Sequence, residues 1–408
     1  MTQSIRVEEL TPPHNQLAKH AVHIHKFGGS SLANTQCIKR VVDIIRRHCQ
    51  LNDFIVVSAN GDTTDALFVL YQQAIEQNTE LFTSIDQLKE MQSQLISSLL
   101  NKSSAARLIE YLCADIKKLT KWLTTDPQQH QTNMLAFGEL WSARLLSAVL
   151  NEQVCASYYL DAREFLTIDN EKACKVETVS STAAFAQKTQ AGKLAIITGY
   201  ICQDAEGNTC TLGRNGSDYS ATIMAALSGA SNVTLWTDVD GIYSADPRVV
   251  PLARKLHRLP NGVAKELGRL GNPVLHAKTL QPLTNHDTHL HVASSFEPTG
   301  SGTEIGKFGQ IAKQELSVTY LNDLIQAKSN SLIGDLGNQA ILEFSPICAD
   351  TQEGFIVISQ EQQKTFTAWL GAQQIEALIT PVSIIATVGH KVIYHGNVQA
   401  RFKRSLKH

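Results

Sequence analysis

Short apolar runs alternate with helix-like patterns from residue 22 to about residue 240, and this alternation limits the possible folds more than any other feature. Runs at 22–27, 54–58, 194–198 and 233–237 are typical of buried strands, and each ends at a turn rich in glycine, asparagine or aspartate. Strands that alternate with helices predict an α/β fold, in which helices cover both faces of a mostly parallel sheet.

The composition excludes several classes of protein. The 408 residues include 36 lysines and arginines against 38 aspartates and glutamates, so there is no basic excess for binding nucleic acid. No run approaches the roughly 18 apolar residues of a membrane span, and Met1–His20 lacks the apolar segment of a secretory signal. The eight cysteines form no Cys-x-x-Cys pair and fit a reducing compartment. We therefore expect a soluble cytoplasmic protein without a nucleic-acid or membrane partner.

Patterns toward the end of the chain indicate a second domain. The stretch Pro298–Gly302 is rich in turn-forming residues and predicts a linker. Apolar runs at Ala340–Phe344 and Gly354–Ser359 are typical of short strands and predict a small α+β domain. The expected layout is an N-terminal tail at 1–20, a catalytic domain at 21–306 and the α+β domain at 311–408.

Two glycine turns, Gly28–Gly29 and Gly213–Gly216, each precede a helical pattern. Backbone N–H groups in such turns can approach an anion at the start of a helix. Lys26 lies on the same strand face as Gly28, where its charge could stabilise a transferring phosphoryl group. An ordinary strand-to-helix turn explains the first glycine pair equally well. The glycine spacings match neither a Walker A loop nor a dinucleotide-binding fingerprint.

Three motifs together resemble the signatures of aspartate kinases in their order and spacing. They are Lys26-Phe-Gly-Gly-Ser-Ser31, Gly213-Arg-Asn-Gly-Ser-Asp-Tyr-Ser220 and Trp236-Thr-Asp-Val-Asp-Gly-Ile-Tyr-Ser-Ala-Asp-Pro-Arg248. The resemblance covers about residues 22–306. Segments Trp141–Asn151 and Leu160–Leu166 are similar in particular to the aspartokinase half of methionine-linked bifunctional aspartokinase–homoserine dehydrogenases. The resemblance implies an amino acid kinase fold and phosphoryl transfer from MgATP to the side-chain carboxylate of L-aspartate, the first step of lysine, threonine and methionine biosynthesis.

The resemblance also implies roles for individual residues. The catalytic residues would be Lys26 and Asp218, the second of which positions the first and the metal-bound phosphates. The residues that hold aspartate would be Thr64, Glu139, Arg214 and Ser217. The nucleotide-binding residues would be Gly28, Gly29, Ser30, Thr237, Asp238, Tyr243, Asp246 and Arg248.

The chemistry of several of these residues fits the implied roles. A guanidinium such as that of Arg214 matches a carboxylate bidentately. Glu139 can pair with a substrate ammonium, although a solvated glutamate in a helix's first turn explains it as well. An N-cap role for Asp218 is compatible with its catalytic one. The sequence Asp246-Pro-Arg248 on its own indicates only a turn.

The chain departs from the family pattern at two places. Many members of the family have the sequence Gly-Ala-Lys-Val-Leu-His-Pro late in the kinase domain, and its lysine contacts ATP. This chain has Pro273 at the lysine position. Lys278 and Lys265 are the candidates to supply that charge. Asp65 stands where asparagine is common in the family.

Histidines raise the question of a metal. His286, His289 and His291 could be drawn as ligands together with Asp287, but Thr288–Ala293 alternates like an ordinary strand. His20, His23 and His25 precede or lie in the first strand and have structural or solvated roles. We expect no metal bound by the protein alone; Mg²⁺ would enter with the ATP phosphates.

The tail beyond residue 311 resembles the ACT modules with which aspartate kinases bind feedback amino acids. Ile384–Gly389 and Val398–Phe402 are similar to a strand and the beginning of a helix in such a module, but His395–Asn397 replaces the usual Pro-Gly turn. The region is short for two modules. We expect a degenerate regulatory domain that packs a homodimer; a working amino-acid sensor is the alternative.

Two other functions remain open. One is another amino acid kinase, directed at glutamate or acetylglutamate. Evidence against it comes from Arg214, Glu139 and the sequence at 236–241. The other is a non-catalytic paralogue acting as a regulatory or scaffolding subunit. Pro273 favours that function, while Lys26, Asp218 and Arg214 oppose it.

Overall fold

The structure is a computed structural model that describes residues 21–169, 175–284, 286–308, 317–344, 346–388 and 392–395. The first strands are β1 His23–Phe27, β2 Phe54–Val57, β3 Ser157–Leu160, β4 Ile168–Asp169, β5 Lys175–Val176, β6 Leu194–Thr198, β7 Ile201–Gln203 and β8 Thr209–Thr211. They are followed by β9 Asn232–Thr237, β10 Ile242–Tyr243, β11 Lys255–Leu256, β12 Arg258–Pro260, β13 His289–Ser294 and β14 Thr303–Gly306. The helices are α1 Thr35–His48, α2 Thr63–Ile75, α3 Leu81–Leu99, α4 Lys102–Thr125, α5 Pro127–Leu135, α6 Phe137–Gln153, α7 Thr178–Lys188, α8 Gly216–Ser228, α9 Asn261–Arg269 and α10 Ala277–Leu280.

The last part of the chain forms five strands and two helices within the described ranges. They are β15 Ser317–Lys328, α11 Asp335–Phe344, β16 Cys348–Asp350, β17 Phe355–Ser359, α12 Gln363–Ala372, β18 Leu378–Val388 and β19 Val392–His395. No helix in the ranges that the structure describes is long and apolar enough to cross a membrane.

An eight-stranded sheet forms the centre of the first part, in the order β12-β14-β13-β9-β1-β2-β6-β3. Neighbouring strands are parallel except for the antiparallel pair β13 and β14. Because parallel strands need crossover connections, helices pack on both faces of the sheet. The predicted α/β class is confirmed.

The alternation of side chains along β1 determines which residues reach which face. Phe27 packs into the core beneath α1 together with Ile38 and Val41. Ile24 points to the opposite face and belongs to the core that includes residues of α8. Lys26 shares the face of Ile24, because successive side chains of a strand point to opposite sides. The strand therefore delivers the lysine to the face that α8 covers.

The last part of the chain folds as an antiparallel sheet in the order β16-β17-β15-β18-β19, with α11 and α12. The sequence of elements up to β18 is β-α-β-β-α-β, a ferredoxin-like arrangement. Phe344, Phe366 and Trp369 pack together in its own core. Arg269 of α9 donates a hydrogen bond to the Ile347 carbonyl and so joins this unit to the first. The predicted α+β character is confirmed.

Two local expectations were wrong. Ala340–Phe344 lies in α11 and not in a strand, because Gly337, Ala340 and Phe344 are buried at helical spacing; a short apolar run does not reveal its period. Pro298–Gly302 is not a linker but part of the connection between β13 and β14. The turn at 204–208 joins the antiparallel strands β7 and β8. The expected tail at 1–20, with His20, and the expectations for Gly389, Gly396, Asn397 and 398–402 lie outside the described residues.

Candidate active site

A cleft of about 450 Å³ opens where β1, β2 and β6 end, at the edge of the sheet where parallel α/β folds place their ligands. Seven of the predicted site residues line it: Lys26, Gly29, Thr64, Glu139, Arg214, Ser217 and Asp218. They come from four separate parts of the chain, so the fold and not the sequence brings them together.

An ion pair occupies one wall of the cleft. Lys26 Nζ lies 2.5 Å from Asp218 Oδ1, and the lysine is only 8% exposed. Asp218 is in the first turn of α8, where the helix dipole stabilises a carboxylate. The residue before the helix is Asn215, so an N-cap role for Asp218 is excluded.

The first glycine turn brings backbone close to the lysine. The Gly28 N–H donates to the Trp236 carbonyl at 3.1 Å, and the Gly29 carbonyl accepts from the Gly61 N–H at 3.0 Å. A Cβ on Gly29 would lie 3.1 Å from the carbonyl oxygen of Gly61, tighter than most real Cβ contacts. A bulkier residue would therefore push the two turns apart. Ser30 is exposed just beyond, within a short 3₁₀ helix.

Glu139 is buried at the inner end of the cleft, in the first turn of α6. The residue is 3% exposed, its Oε1 accepts from the Ala59 N–H at 3.4 Å, and Oε2 has no partner among the described residues. Burial raises the pKa of this carboxyl from 4.5 to about 8. A solvated glutamate is therefore excluded. Thr64, half-buried in the first turn of α2, lines the same space.

The second glycine turn presents a cation at the mouth of the cleft. Arg214 is exposed between Gly213 and Asn215, whose φ angles of 74° and 56° lie in the left-handed region. Ser217 is buried against Gly199, where an added Cβ would lie only 2.8 Å from the serine Cβ. The turn therefore exposes the guanidinium while it fixes the serine.

The residues predicted for the nucleotide lie along the segment after β9. Thr237 ends that strand, next to β1, and its hydroxyl donates to Asp238 at 3.0 Å. The Tyr243 hydroxyl donates to Asp240 Oδ1 at 2.9 Å. Arg248 binds Asp246 with two of its nitrogens, at 3.0 and 2.8 Å. None of these side chains is among the residues that line the 450 Å³ cleft, and Gly28 and Ser30 are also absent from that lining.

The two candidate replacement lysines differ in position. Lys278 lies in α10, and its Nζ is 3.5 Å from the Leu212 carbonyl oxygen, just before the second glycine turn. Lys265 is exposed on α9, and Pro273 is exposed between the two helices. Lys278 therefore contacts the residue that precedes the turn carrying Arg214.

The described ranges contain no group of three or more His, Cys, Asp or Glu side chains that could hold a metal ion. His289 and His291 lie in β13, and His23 and His25 lie in β1. The ring of His23 stacks on that of His25, with 4.0 Å between their centroids.

Sequence reasoning missed several residues of the cleft: Ser58, Ala59, Gly61, Tyr200 and Asn215. Tyr200 has a φ of 66° and follows β6 after Gly199. Its position after an apolar strand and a glycine was the one signal available. Nothing in the local sequence shows that this turn faces α8.

The chain is similar to proteins of a known family. The model of the amino acid kinase family matches residues 22–294. Bifunctional aspartokinase/homoserine dehydrogenase 2 of Escherichia coli (strain K12) is 41% identical over 285 residues, which cover 69% of this chain and 35% of the relative. Lysine-sensitive aspartokinase 3 of the same organism is 31% identical over 286 residues, covering 69% of this chain and 63% of the relative.

A solved structure shares the fold over most of the chain. The crystal structure of E. coli aspartokinase III in complex with aspartate and ADP superposes with a TM-score of 0.75 at 24% identity. The match covers 90% of this chain and 87% of the other. The chain spans about a third of the length of the first curated relatives that it matches.

Proposed function

Because the chain belongs to the amino acid kinase family, we propose that it is an aspartate kinase, which transfers the γ-phosphoryl group of MgATP to the side-chain carboxylate of L-aspartate. One observation carries the proposal. A buried, half-partnered carboxyl, Glu139, and an exposed guanidinium, Arg214, line the same cleft as the ion pair of Lys26 and Asp218. A site for an amino acid with a second carboxylate thus adjoins a site for phosphoryl transfer.

The proposed contacts to aspartate follow from charge. Arg214 would bind a substrate carboxylate bidentately. The unpartnered Oε2 of Glu139 would accept a hydrogen bond from the ammonium, which stabilises the ionised carboxyl in a buried place. Thr64 and Ser217, which also line the cleft, would bind the remaining polar atoms of the substrate.

The proposed contacts to the nucleotide use backbone and the segment after β9. Gly28, Gly29 and Ser30 would surround the phosphates; Thr237, Asp238, Tyr243, Asp246 and Arg248 would contact the adenosine and the outer phosphates. The acidic residues that line the cleft are Glu139 and Asp218, and the second faces Lys26. This donor set fits Mg²⁺ that is held mainly by phosphates and water, with few protein ligands.

The reaction then requires alignment and charge neutralisation. The acceptor carboxylate is already an anion, so no general base is needed. One of its oxygens forms a bond to the γ-phosphorus as the bond to the β-phosphate oxygen breaks, and ADP leaves with that electron pair. Lys26 stabilises the charge on the transferring phosphoryl group, and Asp218 keeps the ammonium group of Lys26 in place. Mg²⁺, when bound, would neutralise phosphate charge.

We extend the proposal to the rest of the chain. The catalytic domain would span 21–306 and follow a tail at 1–20, and an ACT-like domain at 311–408 would pack a homodimer. The ferredoxin-like order of its elements and the exposed Val318 and Tyr320 on β15 support that role. The product would enter lysine, threonine and methionine biosynthesis in the cytoplasm.

The experiment is an ATP-dependent hydroxamate assay with aspartate, glutamate and acetylglutamate in parallel. We expect turnover with aspartate alone, and none from Lys26→Ala. Lys39→Ala, which removes an exposed lysine of α1, serves as the matched control. Turnover with glutamate or acetylglutamate would reassign the substrate. No turnover with any acceptor, from a folded protein, would favour a non-catalytic role.

A further inference from the structure

Lys278 is a cation beside the cleft that the proposed reaction has not used. It lies half-buried in α10, and its Nζ is 3.5 Å from the Leu212 carbonyl oxygen and 5.7 Å from the centroid of the Tyr219 ring. Across the ranges that the structure describes, no carboxylate forms an ion pair with it. A contact of 3.5 Å is at the outer limit of a hydrogen bond, so little is lost when the ammonium moves away.

The neighbourhood of Lys278 is the charged part of the cleft. His276 Nδ1 accepts from the Lys278 N–H at 3.2 Å and caps α10, which fixes the backbone of the lysine. Burial lowers the pKa of His276; the charges of Lys278 and Arg214 lower it further, and Asp218 opposes them. The charges of Lys278, Arg214 and Asp218 therefore all act on this imidazole.

The substrates bring more negative charge than the side chains that line the cleft neutralise. MgATP and aspartate are both anions at neutral pH. Asp218 already neutralises Lys26 at 2.5 Å, so within the cleft lining Arg214 is the cation without a described ion pair. Pro273, in the loop between α9 and α10, carries no charge.

We propose that Lys278 binds the terminal phosphate of the nucleotide. Its flexible four-carbon stem lets the ammonium move from the Leu212 carbonyl to the non-bridging oxygens of that phosphate, beside the amino-terminal end of α8. This inference rests on the proposed function only for the identity of the reaction. The binding of a nucleoside triphosphate can be tested without it.

The test measures binding of the β,γ-methylene analogue of MgATP by calorimetry on the full chain, with MgADP as the comparison ligand. Lys278→Gln should weaken the triphosphate analogue by about tenfold or more, the scale of one charge-assisted hydrogen bond, and MgADP by less. Lys278→Arg should keep most of the affinity. Lys265→Gln, an exposed lysine of the neighbouring helix, is the matched control and should change nothing.

Three results would overturn the inference. They are analogue affinity within twofold of the wild type in Lys278→Gln, an equal loss for MgADP, and no binding by the wild type. A purely structural role would lower the melting temperature of Lys278→Gln and leave the ratio of the two nucleotide affinities unchanged. The hydroxamate assay separates the two proposals, since a wild type that binds the analogue but phosphorylates no aspartate would refute the function alone.

Discussion

Replacing Glu139 with glutamine should remove a pH dependence that the wild type shows in its affinity for aspartate. In the free protein, burial raises the pKa of this carboxyl to about 8, so the neutral form predominates near pH 7. An ammonium binds the ionised form. Aspartate binding should therefore release a proton, and the apparent KM for aspartate should fall as the pH rises toward 8.

The magnitude follows from the titration. Well below the pKa, the ionised fraction rises about tenfold per pH unit, so the KM for aspartate should fall on the order of 20-fold from about pH 6.5 to about pH 8.5. The same burial affects stability. Burial raises the pKa of Glu139 from 4.5 in the unfolded chain to about 8 in the folded protein. The contribution of Glu139 to the free energy of unfolding is therefore complete below about pH 4.5, and it is lost as the pH rises through 8. Its upper limit is about 5 kcal/mol.

The assay measures initial rates against aspartate at saturating MgATP across this pH range, with guanidinium unfolding at each pH. Glu139→Gln should show a raised KM that no longer depends on pH and a free energy of unfolding that declines less than in the wild type. Glu110→Gln, at an exposed position of α4, should behave as the wild type. A wild-type KM that stays constant within twofold, or an equal slope in Glu139→Gln, would refute the reasoning.

The other predictions concern the cations, the effectors and acid. Lys26→Ala should lower kcat by at least about 10²-fold while the fold stays intact, and a near-normal kcat would remove the lysine from catalysis. Arg214→Ala should raise the KM for aspartate far more than that for ATP; equal effects would place the guanidinium on the nucleotide. Lysine, threonine and methionine at millimolar concentration should inhibit poorly in rate titrations, because the described strands beyond residue 317 form one sheet rather than two; strong inhibition with a calorimetric isotherm would show a working sensor. Burial lowers the pKa of His23 to about 4, so its contribution to stability should be present above about pH 6.5 and lost toward pH 4. His23→Asn should show a smaller decline in unfolding free energy over that range, and an equal decline would contradict it.

The sequence predicted the features that depend on neighbouring residues. The alternation of strands and helices is enough for the α/β class, because each period reflects which side of a local element is buried. The two-residue period of a strand also placed Lys26 and Gly28 on one face. Both follow from backbone geometry over a few residues.

The tertiary structure decided what depends on residues far apart in the chain. Glu139 has the sequence of an ordinary first-turn glutamate. Its raised pKa arises because the fold buries the carboxyl, and the hydrogen bond from the Ala59 N–H, eighty positions earlier, opposes that rise. Lys278 meets the Leu212 carbonyl only because α10 packs beside α8, and Ala340–Phe344 became a helix because Ala340 and Phe344 are buried in the core beneath β15 and β17. Burial and electrostatics are sums over all nearby atoms, and the fold alone determines which atoms those are.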